Sequence, residues 1–219
     1  MNAVKKIIRL DLLSIRPYLT PKNLLILIGL GLWYAFSTKS AAAVLGVCQM
    51  FAVLYASYPF MVGDKSGIDS LYRMFGIRAK SVVLGRYLSA LLVQLACLLL
   101  GLSFSLLGSA ALKTFGSAGL LADALPLFLI GILLAACQFP FFFKYGYAKA
   151  KTIMMALYLS IGLLALLSAR LKPVLAPAIA FFEPRRALFV ISLLILVSAL
   201  LAGSVLLSIR WYQKKDLAS

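Results

Sequence analysis

The sequence predicts an all-α integral membrane protein, and two observations predict it. The first is composition: 63% of the 219 residues are hydrophobic and only 13% are charged, a balance that one soluble core could not bury. The second is that the chain holds six charge-free runs of 16 to 26 residues, long enough to cross or nearly cross a bilayer as helices. We therefore expect six transmembrane helices in a single domain, residues 1–219. The runs are residues 23–38, 40–63, 87–112, 124–143, 152–169 and 187–209.

Residues 1–20, before the first run, predict a helix that lies in the membrane interface. The apolar residues fall at helical spacing on one side and the basic residues largely elsewhere. Pro17 and Pro21 then mark a bend into the first span. A signal peptide is the alternative for residues 1–45, but the basic, amphipathic region before the apolar run is longer than a typical n-region. The apolar residues are Val4, Ile7, Ile8, Leu12, Ile15 and Leu19, and the basic ones are Lys5, Lys6, Arg9 and Arg16.

The distribution of basic residues predicts the orientation. With the N-terminus in the cytoplasm, 16 Lys and Arg residues fall inside and 6 outside, so the positive-inside rule places both termini in the cytoplasm. The net charge of +16 follows from this distribution. Attraction to anionic inner-leaflet lipid accounts for it better than binding of nucleic acid does.

The outer loop between spans five and six, residues 171–184, is apolar in its middle and broken by three prolines. It is too short for two crossings. A re-entrant or interfacial hairpin packed against the spans fits this composition, and a floppy amphipathic loop is the alternative.

The chemistry needed for catalysis is missing from the sequence. There is no histidine and there are only six acidic residues, so neither a metal site nor an acid/base pair is expected. No Gly-Lys dipeptide occurs, which rules out a P-loop, and we expect no enzyme activity and no cofactor in this chain. Cys48, Cys97 and Cys137 lie in the apolar runs and are expected to be free thiols.

Three glutamines, Gln49, Gln94 and Gln138, fall near the middle of the second, third and fourth runs. They either line a polar path or hydrogen-bond neighbouring helices, and the sequence leaves both interpretations open. No titratable residue lies at a comparable depth, which indicates that energy for any transport comes from elsewhere.

Residues 63–80, between the second and third runs, form a charged insert with a helical pattern. Its apolar residues recur at i, i+3, i+4 and i+7, Ser66 and Asp69 match an S-x-x-D capping box, and Gly76 is a stop signal. A helix of about nine residues is marginal alone in water and must dock on the membrane surface, its own bundle or a partner protein. The apolar residues are Ile68, Leu71, Tyr72 and Phe75.

The insert "DKSGIDSLYRMFGIRAKSVVLGRYL", together with the order of the predicted elements, resembles the type-2 ATP-binding-cassette exporter permeases, especially small bacterial ones. The sequence departs from their usual pattern at Asp64-Lys65, where a second acidic residue is common, and at "FGI", where "LPI" is common. The resemblance implies that Ser66–Phe75 is the coupling helix, which acts through Ser66, Ile68, Asp69, Leu71, Tyr72 and Phe75.

The resemblance also implies the partners. Two permease chains would face each other in the bacterial cell membrane, above two cytoplasmic ATPase subunits that bind ATP and Mg²⁺. Small members of the group include exporters of amphipathic peptide toxins of the phenol-soluble-modulin type, so amphipathic peptides or lipid-like compounds are the expected cargo. A stand-alone channel or facilitator, a membrane-embedded enzyme and a scaffold or assembly protein are the alternative functions.

Overall fold

A computed structural model describes residues 3–38, 42–112, 120–166 and 186–217, and every regular element within these ranges is a helix. This confirms the all-α fold. The elements are α1 (Ala3–Ile15), a 3₁₀ helix (Arg16–Tyr18), α2 (Pro21–Thr38), α3 (Ala42–Ser66), α4 (Ile68–Met74), α5 (Ala79–Leu112), α6 (Leu120–Tyr145), α7 (Tyr147–Leu166) and α8 (Arg186–Leu217).

Four described helices, α3, α5, α6 and α8, are long and apolar enough to cross a membrane. A fifth span results if residues 3–18 and α2, which meet at an angle of 79°, are counted together. Within the described residues α7 does not qualify, so the count of six spans stays a prediction. The predicted outer hairpin, residues 171–184, lies outside the described residues.

The helices that qualify as spans also form the packed centre of the fold. α3 packs against α5 and α6, α6 packs against α8, and α2 lies against α3. The largest buried cluster is aromatic and lies at the end of the bundle from which α4 projects, here called the insert end. The ring centroid of Phe60 in α3 lies 4.9 to 5.1 Å from those of Phe139, Phe142 and Phe143 in α6. These contacts fix the separation of α3 and α6 where the insert joins the bundle.

Helix α1 packs against α5 and α3, and this changes the prediction of a simple interfacial helix. Its buried residues are Ile7, Asp11 and Ile15, so only part of the predicted apolar side faces the bundle. Gly85 of α5 permits the approach, since a Cβ built there would lie 2.6 Å from Ile7 Cγ2. The predicted apolar side is therefore divided: Ile7 and Ile15 meet the bundle, while Leu12 and Leu19 remain exposed.

Large apolar side chains cover the outer surfaces of the bundle. Leu25, Trp33 and Phe36 of α2 are exposed, as are Ile195 and Leu206 of α8. A hydrocarbon environment or another apolar helix satisfies such surfaces, and water does not.

Candidate functional site

Glycine residues separate the insert helix α4 from its neighbours. Gly67 adopts φ +67° between the end of α3 and the start of α4, and its carbonyl oxygen accepts a hydrogen bond from Ser70 N at 3.0 Å. At the other end, Gly76 adopts φ +63° and Ile77 N donates to Tyr72 O at 2.9 Å. This is the geometry of a Schellman motif, and it confirms the stop that the sequence predicts at Gly76.

The predicted capping box is not formed, because its two side chains bind other groups. Ser66 belongs to the last turn of α3, and its hydroxyl donates to Val62 O at 2.6 Å. Asp69 accepts a hydrogen bond from Arg86 instead of facing the backbone of its own helix. A cap at Ser66 would require α3 to end before Ser66. Instead, Ser66 is the last residue of α3, and Gly67 separates α3 from α4.

The apolar residues of the insert divide into an inner and an outer set. Tyr72 is buried, and Ile68 packs against the large aromatic cluster. Leu71 is 47% exposed, Met74 82% and Phe75 77%. The single face predicted from Ile68, Leu71, Tyr72 and Phe75 is therefore shared between the chain's own bundle and its surroundings. We call Leu71, Met74 and Phe75 the outer patch.

A buried arginine joins α4 to the bundle. Arg86, in the second turn of α5, is 3% exposed, and its Nη2 lies 3.0 Å from Asp69 Oδ1. Its guanidinium carbon lies 4.5 Å above the ring of Phe60 and 5.7 Å from that of Phe143. Gly63 leaves room for it, since a Cβ there would lie 3.0 Å from Nη2. One side chain thus contacts α3, α4 and α6 from α5.

A buried acid, Asp11 of α1, completes the cluster. It is 3% exposed, and its Oδ2 lies 3.0 Å from Ser89 Oγ, which in turn lies 2.9 Å from Arg86 O. The Ser89 hydroxyl has one proton, which it donates to Asp11 Oδ2 and shares with Arg86 O. Burial raises the pKa of Asp11 from 3.8 to about 6, although Arg86 and Ser89 act in the opposite direction. We call Asp11, Asp69 and Arg86 the charge cluster.

The raised pKa of Asp11 makes stability depend on pH. A folded-state pKa above the unfolded value means that the folded chain binds the extra proton between pH 4 and 6, so stability increases as pH falls through about 6. The effect is at most about 3 kcal/mol. We expect Asp11→Asn to raise the thermal midpoint at pH 7.5 and to reduce the gain seen between pH 7.5 and 5.

The control for this titration is Asp123→Asn, which removes an exposed carboxylate from the first turn of α6. The measurement is the unfolding midpoint of the purified chain in detergent at both pH values. An unchanged pH response in Asp11→Asn, or an equal change in Asp123→Asn, would contradict the assignment.

Asp64, at the end of α3, caps the start of α7. Its Oδ2 accepts hydrogen bonds from the backbone nitrogens of Tyr147 and Ala148. Gly146 precedes them with φ +75°, and a Cβ at that position would lie 3.0 Å from the same carboxylate oxygen. A negative charge at a helix N-terminus is favourable, so Asp64 ties α7 to the base of the insert. The sequence alone offered no sign of this pairing across 83 positions.

The three predicted glutamines are buried between α3, α5 and α6. Gln49 Nε2 donates to Gln94 O at 3.3 Å, Gln94 Nε2 donates to Gly131 O at 2.7 Å, and Ser57 Oγ donates to Gln138 Oε1 at 3.3 Å. Their contacts agree with the role of bonding neighbouring helices. Gln49 Oε1 and Gln94 Oε1 find no donor among the described residues, which keeps the polar-path interpretation open.

A further hydrogen-bonded group links α5 to α8 beneath the charge cluster. Tyr87 Oη lies 2.6 Å from Ser204 Oγ and 2.9 Å from Ser208 Oγ, and Ser204 also donates to Ala136 O of α6. Sequence reasoning missed this group and the charge cluster. The available signal for the latter was Arg86 itself, a charged residue next to a long apolar run, which by default indicates a functional role.

Comparison with known proteins identifies the family of the chain. A family model described as "ABC-2 family transporter protein" matches residues 6–213. No curated protein and no solved structure matched the chain. The match extends over nearly the whole sequence and includes α4 and the charge cluster. The chain therefore belongs to the ABC-2 transporter family, as a multi-pass membrane permease subunit whose family implies a partner ATPase subunit.

Proposed function

We propose that this permease is an exporter and that the outer patch of α4 is the surface on which its ATPase subunit docks. The observation that carries the proposal is that Leu71, Met74 and Phe75 are exposed, while Ile68 and Tyr72 on the other side of the same helix pack against the bundle. Exposed apolar side chains on a short, well-anchored helix are typical of a helix seated in the groove of a partner.

Charge around the outer patch supports an acidic partner groove. Lys65, Arg78 and Lys80 are all exposed close to α4 in the chain. An apolar patch on a helix flanked in the chain by exposed basic residues complements a groove with apolar walls and an acidic rim. ATP and Mg²⁺ would bind in the ATPase, because this sequence has no P-loop.

The charge cluster supplies the connection between docking and transport. When nucleotide binding moves the ATPase, α4 would move with it, and the Asp69–Arg86 ion pair would pass that displacement to α5. The aromatic contacts of Arg86 with Phe60 and Phe143 extend the connection to α3 and α6. Rigid-body movement of several spans is a common way to alternate between two cavity states.

For the cargo we propose amphipathic peptides or lipid-like compounds, carried between two permease chains in a bacterial cell membrane. The support is the absence of charge from residues 87–112 and 124–143 and the apolar outer surfaces of the described helices. A path lined by such surfaces favours cargo with a large apolar face.

The test is reconstitution of this chain with its ATPase subunit in lipid vesicles whose nucleotide-binding side faces outward. We expect ATP-dependent uptake of a labelled amphipathic α-helical peptide and no uptake of a scrambled peptide of equal charge without an apolar face. Uptake without ATPase or ATP would indicate a facilitator. Absence of uptake for every amphipathic peptide and lipid analogue tested would contradict the cargo class.

The proposed orientation predicts a labelling pattern. In a variant without the native cysteines, a single cysteine at position 70 should react only from the cytoplasm, because the insert must reach the ATPase. Cysteines at positions 39 and 113 should react from outside. Labelling of position 70 by an impermeant reagent in intact cells would contradict both the orientation and the docking surface.

A further inference from the structure

The outer face of α1 carries a groove of about 630 Å³ at the insert end of the fold. Residues three or four positions apart line it, so one side of the helix provides most of the surface. This side adjoins the buried face formed by Ile7, Asp11 and Ile15. The residues that matter here are three basic ones, Lys5, Arg9 and Arg16, and three apolar ones, Ile8, Leu12 and Leu19.

The groove is strongly cationic. Lys5, Arg9 and Arg16 are exposed along it, and no acidic residue contributes to its lining. The one acid of α1, Asp11, is buried on the adjoining face next to Ser89. The three positive charges of the groove therefore have no counter-charge in its lining, and an anionic ligand would supply one.

The apolar part of the lining distinguishes between possible anions. Ile8, Leu12 and Leu19 alternate with the basic residues, so a cation and an apolar side chain are neighbours along the groove. Its volume is far larger than an inorganic phosphate ion would fill. A ligand that matches both features has an anionic head attached to hydrocarbon.

The position of the groove matches the depth of lipid headgroups. Helix α2 is apolar, and residues 3–18 meet it at an angle of 79°, so α1 runs nearly across the axis of α2 at its first turn. A helix placed in this way lies near the boundary between headgroups and acyl chains when α2 crosses the bilayer. The long stems of Lys and Arg suit this depth, since they pack on apolar surface while their charges reach phosphates.

We propose that the outer face of α1 is a binding site for an anionic phospholipid. Lys5, Arg9 and Arg16 contact the headgroup phosphate, and Ile8, Leu12 and Leu19 contact the upper methylenes of the acyl chains. Because the adjoining face of α1 packs on α5, the bound lipid stabilises the contact of α1 with the bundle.

The test uses the full chain in detergent micelles, with phosphatidylglycerol or phosphatidylcholine added and bound lipid counted by native mass spectrometry. The test variant is Lys5→Gln, Arg9→Gln and Arg16→Gln together. The control variant, Lys149→Gln, Lys151→Gln and Lys214→Gln, removes three exposed charges from the same end of the fold. A basic residue near anionic lipid contributes about fivefold in affinity, so we expect roughly a hundredfold weaker phosphatidylglycerol binding in the test variant.

Support requires three results: one tightly retained phosphatidylglycerol in the unmodified chain, its loss in the test variant, and its retention within about twofold in the control variant. Equal losses in both variants would show a general charge effect and overturn the site. Equal binding of phosphatidylcholine would also overturn it. Displacement of the lipid by millimolar inorganic phosphate alone would identify a free-anion site rather than a lipid site.

Discussion

Replacement of Arg86 by methionine is expected to destabilise the chain by about 3–5 kcal/mol, because it leaves the partly buried Asp69 and the buried Asp11 without their cation. Methionine keeps much of the aliphatic contact with Phe60, so the loss reports mainly on charge. Asp69, with 20% of its side chain exposed, loses its ion pair, and Asp11 loses a nearby positive charge. The measurement is the thermal unfolding midpoint of the purified chain in detergent.

The control for this change is Arg210→Met, which removes an exposed arginine from α8 at the same end of the bundle. It should change the midpoint little, since exposed charges contribute less than about 1 kcal/mol. Equal effects of Arg86→Met and Arg210→Met would show that burial of Arg86 has no energetic consequence.

The double variant Arg86→Met with Asp69→Asn separates stability from transport. Removing both charges of a buried pair costs much less than removing one, so the midpoint should recover in part. ATP-dependent transport should remain at least about tenfold reduced, because α4 has lost its ionic connection to α5. Transport at the unmodified rate in this variant would restrict the ion pair to a structural role.

The helices could be predicted from local patterns, whereas the charge cluster could not. Hydrophobic runs and the Gly76 stop depend on residues close together in the chain, and the structure places α4 at Ile68–Met74, inside the predicted Ser66–Phe75 but beginning two residues later. The Asp69–Arg86 pair depends on how α3, α4 and α5 turn at Gly67 and Gly76, which spacing alone does not give. A local capping rule therefore assigned Asp69 to the wrong partner.

For helix α1, too, the sequence predicted the helix but not which of its faces contacts the rest of the protein. Its periodicity correctly predicted an amphipathic helix, but hydropathy does not say which apolar residues meet protein and which meet lipid. Gly85 lets Ile7 pack closely on α5, so this face of α1 meets protein. The polar side chain of Ser89 makes burial of Asp11 on the same face possible. Neither residue is near α1 in sequence, so the two-sided character of α1 emerges only from packing.

Truncation of the outer patch by Met74→Ala with Phe75→Ala is expected to release the ATPase while leaving the permease folded. Both side chains are largely exposed, so little packing within the chain is lost. Truncating a buried interface anchor typically costs about 2 kcal/mol or more, which corresponds to roughly a thirtyfold loss of affinity. The measurement is co-purification of the ATPase together with ATP-dependent peptide uptake, and both should fall.

The matched comparison within the same helix is Ile68→Ala with Tyr72→Ala, which truncates the inner set. This pair should lower the thermal midpoint, because Tyr72 is buried and Ile68 packs on the aromatic cluster. Ile153→Ala with Met155→Ala, on the exposed side of α7, should affect neither midpoint nor ATPase binding. If the outer-patch variant keeps its ATPase and its transport rate, α4 is only a surface helix. If the outer pair lowers the midpoint as much as the inner pair, the two faces are assigned incorrectly.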